Sequence, residues 1–66
     1  MKIKKVRLIS EMATSGITLI QLSEMSGVSR ATISAVRNGK SCSFNTAAKI
    51  AKALHINVMD LIESED

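Results

Sequence analysis

The sequence predicts an all-α fold, a compact five-helix bundle, and three features carry that expectation. Proline is absent, and the apolar residues recur at steps of three and four, the spacing that puts side chains on one face of a helix. Between these runs stand residues that start and stop helices: Ser, Thr and Asn before them, and Gly, Asn or His after them. With 66 residues the chain is long enough for one hydrophobic core only, so a single domain over 1–66 is expected.

The first helix is predicted over 2–14, where Ile3, Val6, Ile9 and Ala13 follow the three-to-four step. Lys2, Lys4, Lys5 and Arg7 crowd its first two turns. Cations at that end oppose the helix dipole, so helix stability does not explain them; a solvated face and a phosphate-contacting face both fit. Ser15–Gly16 ends the helix. The second helix is expected over 18–26, opened by Thr18 with Gln21 three residues on, the spacing at which each side chain satisfies a backbone N–H of the other. Leu22 and Met25 should point inward, and Ser23 permits close approach. Gly27 stops it.

Ser29 is placed to cap the third helix, expected over 29–37, with Val28, Ile33 and Val36 as its inner side and Asn38–Gly39 as its left-handed end. Ser43 can cap a fourth over 43–54, whose stripe is Phe44, Ala47, Ile50, Ala51 and Leu54, with Lys49 and Lys52 outside. Asn57 can cap a short fifth helix over 57–62, before an acidic tail at 63–66.

Charge is unevenly spread. Residues 1–52 carry a formal +7 and residues 53–66 carry −4, which suggests a polyanionic partner for one face. Base-stacking platforms for single strands need aromatic side chains, and Phe44 is the one aromatic residue, so duplex DNA fits better. No window approaches the ~20 apolar residues of a membrane helix, and no apolar segment with a cleavage site follows the basic start. One cysteine, Cys42, forms no internal disulfide, which fits a reducing cytoplasm. No Ser/His/Asp set, carboxylate pair or phosphate loop is present, so no enzyme activity is expected. Neither is a metal, a cofactor or a small-molecule ligand.

The second and third helices are joined by Ser26–Gly27–Val28, the short glycine turn of a helix-turn-helix, whose second helix lies in a major groove about 12 Å wide. One side of that helix must be core and the other small or polar, so that its backbone can approach base edges. Here the outer side is Arg30, Ala31, Ser34 and Ala35, with Arg37 near the end. No Asp or Glu occurs in the 35 residues between Glu24 and Asp60, as a surface facing phosphates requires.

ITLIQLSEMSGVSRATISAVRNGKS followed by FNTAAKIAKALHINVMDLI resembles the Cro/CI-type (XRE) helix-turn-helix family, the lambda-repressor-like DNA-binding domains, over residues 5–62. The motifs, in order, are T-x-x-x-L, G-V-S-x-x-T-I-S, N-G-K and I-A-K-A-L. Residues 18–39 also resemble the headpiece of lac-repressor-type proteins, but the additional first helix and the closing pair favour Cro/CI. The resemblance implies that Arg30, Ala31, Ser34 and Ala35 face base edges, and that Thr18, Ser29, Thr32, Arg37, Asn38 and Lys40 contact phosphates. The chemistry agrees, since Arg can bond guanine O6 and N7 together and Ala can meet a thymine methyl. With one long donor, a share of specificity should come from DNA shape.

Three departures stand out. Leu19 replaces the Gln frequent in the family and leaves Leu19 and Ile20 as exposed apolar candidates. Arg37 replaces a Glu that pairs with an Arg of the first helix. The loop before Phe44 is about one residue short. The resemblance implies a transcriptional regulator, with a repressor expected, acting as a homodimer on a pseudo-palindromic operator, with Val58, Met59 and Ile62 as interface candidates. A protein-interaction module of the antitoxin or antirepressor kind, binding a regulatory protein partner, is the alternative. His55 reads as a helix-ending residue, Cys42 as a loop residue, and Met12, Met25 and Met59 as core or interface filler.

Overall fold

The structure, a computed structural model, describes residues 1–63. Its helices are α1 (Lys5–Ser15), α2 (Leu19–Ser26), α3 (Arg30–Arg37), α4 (Phe44–Ala53) and α5 (Val58–Leu61). α2 packs against α3 and α4, α4 against α5, and α1 against α3. Leu8, Leu22, Ile33, Val36, Ile50 and Leu61 are the largest fully buried side chains, and they belong to one core that draws on all five helices. Of the predicted acidic tail only Glu63 lies within the described residues.

The N-caps form as expected. Thr18 accepts from the Gln21 N–H at 3.1 Å while the Gln21 side chain accepts from the Thr18 N–H at 2.9 Å. Ser29, Ser43 and Asn57 each accept a backbone N–H of the first turn they open. At the C-termini, Gly16, Gly27, Gly39 and His55 take the left-handed conformation that closes a helix. Asn38 does not share it, with φ at −90°, so Gly39 alone supplies the turn.

The first helix departs most from expectation. Residues 1–4 are not helical: Lys4 N–H donates to the Leu61 carbonyl at 2.7 Å, Glu63 N–H donates to Lys2 at 2.9 Å, and Ile3 and Ile62 form an isolated antiparallel bridge. With Ile3 held in this extended segment, the helical face shifts. Leu8 and Met12, one turn apart, are buried, whereas Val6 is 76% and Ile9 49% exposed, and Ala13 is exposed. The expected stripe is as regular as the real one; the pairing of residues 1–4 with 61–63, distant in sequence, decides between them. Two further inward assignments fail. Met25 is 52% and Phe44 50% exposed; each stands near an end of its helix, and Met25 borders an open hollow with Lys49, Lys52 and His55.

Candidate nucleic-acid interface

The turn between α2 and α3 is held by two serines. The Ser23 hydroxyl donates to the Val28 carbonyl at 2.6 Å. The Ser26 hydroxyl donates to the Leu22 carbonyl at 2.7 Å and accepts from the Val28 N–H at 3.2 Å. Gly27, at φ 75°, turns the chain, and Val28 is buried. Sequence reasoning gave Ser23 a packing role only. The signal was there, since short hydroxyl side chains beside a glycine turn bond to local backbone readily.

α3 is thereby pinned with Ile33 and Val36 in the core. Its other side carries Arg30 and Ala31, both exposed, and Ser34 and Ala35, both half-buried. These four assigned base-facing residues share one side of the helix, with Arg30 and Ala31 standing furthest out. The Ser34 hydroxyl has no hydrogen-bond partner among the described residues and is free to donate.

The residues assigned to phosphates divide into two groups. Thr32 and Lys40 line a shallow groove along α3 together with Ala31, Ala35, Val36 and Ser41. Positions assigned to bases and positions assigned to phosphates meet there. Asn38 is exposed next to it in sequence, with Lys40 N–H closing the helix onto the Ala35 carbonyl at 3.0 Å. Thr18 and Arg37 instead share a different hollow with Ile9, Met12, Ala13, Ile17 and Leu19. Arg37 is therefore turned toward α1 and the start of α2, and the α1 residues that share the hollow with it, Ile9, Met12 and Ala13, are all apolar. Leu19 is half-buried against the core, and Ile20 is 48% exposed.

Ser29 differs in detail from its assigned part. Its oxygen accepts the Thr32 N–H at 3.2 Å, and its own proton goes to the Thr32 hydroxyl at 2.8 Å. The proton left to donate outward is that of Thr32. Thr18 keeps a hydroxyl proton free, since its oxygen only accepts.

Among the described residues the one ion pair is Arg7–Glu11, at 2.9 Å. Arg30, Arg37 and Lys40 thus have no carboxylate partner among the described residues, and their charges are uncompensated there. Cations without internal partners are what a surface must offer to release counterions from a phosphate backbone. Cys42 lies in the α3–α4 connection, where its N–H donates to the Met1 carbonyl at 2.8 Å and its carbonyl accepts from the Met1 amino group at 2.9 Å. Burial pushes its thiol up from the usual 9.0, against the smaller opposing pulls of the Met1 ammonium and a hydrogen bond with the Ala47 backbone. A thiol so held is poorly nucleophilic. No helix among the described residues is long and apolar enough to cross a membrane.

Of the expected interface residues in α5, Val58 and Ile62 are half-buried against the core and Met59 is 65% exposed. The greater part of the free apolar surface at this end is thus Met59, which shares a shallow hollow with Lys4, Ile62 and Glu63.

Comparison with curated proteins and with solved structures gives no match. The family model of the Cro/C1-type HTH DNA-binding domain matches residues 7–66, a span that includes α2, the serine-held turn, α3 and the basic connection after it. The chain belongs to the Cro/C1-type helix-turn-helix DNA-binding family.

Proposed function

We propose that this protein is a sequence-specific transcriptional regulator that lays α3 in the major groove of duplex DNA, as a homodimer on a pseudo-palindromic operator. The observation that carries this reading is the side of α3 opposite the core, where Arg30, Ala31, Ser34 and Ala35 stand beside a groove lined by Thr32 and Lys40, with no acidic residue from 25 to 59. Small side chains there let the helix approach base edges, and Arg30 is long enough to bond a guanine on two atoms. Thr18, Thr32, Asn38 and Lys40 hold the backbone, with Ser29 acting through Thr32. The regulatory sense we propose is repression, because occupying DNA needs no further surface, and the place of action is the cytoplasm, at the nucleoid.

Two-fold pairing would set two copies of α3 about 34 Å apart, one turn of DNA. Met59, flanked by Val58 and Ile62, is the candidate contact. A fluorescence titration of labelled duplexes selected from random DNA tests the whole reading. Affinity should fall steeply with salt; Arg30→Ala should flatten sequence preference by ~1–3 kcal/mol, and Lys40→Ala should weaken all sequences about equally. Operator preference left intact by Arg30→Ala would remove the base-reading assignment.

A second reading, a module that binds a regulatory protein as antitoxins and antirepressors do, draws support from the hollow lined by Ile9, Ala13, Ile17 and Leu19, with Val6 and Ile20 also exposed. Binding to duplex DNA that is absent or indifferent to salt would favour it.

A further inference from the structure

The basic start of the chain has a part that the α3 interface leaves unexplained, and the structure separates its four cations. Arg7 is committed to Glu11. Lys2 and Lys4 lie on the extended segment beside 61–63, and Lys4 lines a hollow that contains Glu63. Lys5 goes elsewhere. Its side chain crosses the end of α3, so that a methyl group built on Gly39 would stand 3.8 Å from the Lys5 ammonium.

A cation at a helix C-terminus has a structural use, since it can bond the last carbonyls. Here the carbonyls of Ser34, Ala35 and Val36 are already taken, and Lys5 bonds none of the last carbonyls. Ser34 accepts from Asn38, Ala35 from Asn38 and Lys40, and Val36 from Gly39, all at 2.9–3.1 Å. Lys5 itself has no hydrogen-bond acceptor and no carboxylate partner among the described residues. Its ammonium is thus held against Gly39, between Asn38 and Lys40 in the chain, with its three donors unspent. Bringing a second ammonium to the segment that carries Lys40 is unfavourable unless an anion joins them.

We propose that Lys5 is a further phosphate-contacting residue, which with Asn38 and Lys40 grips the DNA backbone where α3 ends. The inference rests on the reading of α3 as a DNA-binding helix. α1 then has a direct part in binding.

The test is the salt dependence of binding to a selected operator duplex, for wild type, Lys5→Gln, Lys5→Arg and the control Lys2→Gln, with a melting curve for each. One phosphate contact contributes about 0.9 to the slope of log affinity against log salt. Lys5→Gln should lower the slope by about that much per protomer and weaken binding about fivefold per protomer at 0.15 M salt, converging with wild type near 1 M. Lys5→Arg should restore the slope, and Lys2→Gln should leave it near wild type. A slope unchanged in Lys5→Gln while wild type binds normally overturns the inference alone. The same holds for weakening that is equal at all salt concentrations and tracks a lowered melting temperature, the mark of a merely structural lysine. A wild-type protein that binds no duplex overturns the inference together with the reading beneath it.

Discussion

Replacing His55 by glycine should raise the melting temperature, by an amount that follows from how three helices end. α1, α3 and α4 close with the same pair of hydrogen bonds. In each, the left-handed residue donates to the carbonyl three before it, and the next residue donates to the carbonyl five before itself: Gly16 to Ala13 and Ile17 to Met12, Gly39 to Val36 and Lys40 to Ala35, His55 to Lys52 and Ile56 to Ala51. The φ values are 67°, 100° and 59°. Two of the three positions carry glycine and the third carries a residue with a Cβ, which in this conformation costs about 1–2 kcal/mol. Glycine's extra freedom in the unfolded chain takes back about 0.4–1 kcal/mol, leaving a net gain of ~0.5–1 kcal/mol. With about 2.1 cal/mol/K of unfolding entropy per residue, a chain of this length melts about 4–7 °C higher for that gain. The His55 side chain is exposed and makes no hydrogen bond among the described residues, so little else is lost. Calorimetric melts of His55→Gly and of its mirror, Gly16→Ala, read the effect from both sides. A methyl at Gly16 would meet nothing within 4 Å, so its expected loss of ~1 kcal/mol is backbone strain alone. If His55→Gly melts at or below wild type while Gly16→Ala is destabilised, the imidazole holds something that the geometry does not account for.

Ser23→Ala should destabilise by ~0.5–1 kcal/mol in chemical denaturation, because the lost bond to the Val28 carbonyl outweighs the gain in helix propensity; an unchanged midpoint would show that the hydroxyl does not hold the turn. Cys42 should alkylate more slowly than a free thiol at pH 8 and at the ordinary rate once unfolded, since burial raises its folded pKa. By the same sign its contribution to stability is full below the unfolded value and is lost as pH rises through the folded one, so denaturation midpoints should decline on the alkaline side of about pH 9, and less in Cys42→Ser. Met59→Glu should shift sedimentation toward the monomer at micromolar concentration while leaving the melting temperature of the monomer nearly unchanged. A dimer that persists in this variant places the interface elsewhere.

What could be read from the sequence was whatever depends on neighbours along the chain. The caps at Thr18, Ser29, Ser43 and Asn57 are bonds within three residues, and α2, α3 and their turn fall where those residues put them. The core side of α3 is equally local, because an eight-residue helix with Ile33 and Val36 offers one apolar face. α1 misled because two faces competed. Ile3, Val6, Ile9 and Ala13 make a stripe no worse than Leu8 and Met12, and the choice is made by the pairing of residues 2–4 with 61–63, at the other end of the described chain. The candidate site shows the same division. The side of α3 occupied by Arg30, Ala31, Ser34 and Ala35 follows from helical periodicity, whereas the turning of Arg37 toward the hollow between α1 and α2 and of Lys5 toward Gly39 depends on how α1 packs on α3.

That dependence bears on how so short a helix could read DNA. Eight residues are too few for a helix to persist alone in water, so α3 takes its position from what surrounds it. At its start Ser23 and Ser26 bind the turn to α2, and Ser29 ties the first turn through Thr32. At its end the bonds of Gly39 and Lys40 close the last turn, and Lys5 reaches across from α1. Arg30 is the one long donor on the outer side, and a bidentate contact tolerates little displacement. On the proposed reading, loosening either end of α3 should therefore cost sequence preference before it costs general affinity, since phosphate contacts survive small shifts that a paired bond to one base does not. Ser23→Ala is the sharpest probe, because it touches no assigned DNA contact. A drop in discrimination between operator and random duplex, with little change in binding to random duplex, is the expected result; equal weakening of both would locate the effect in stability alone.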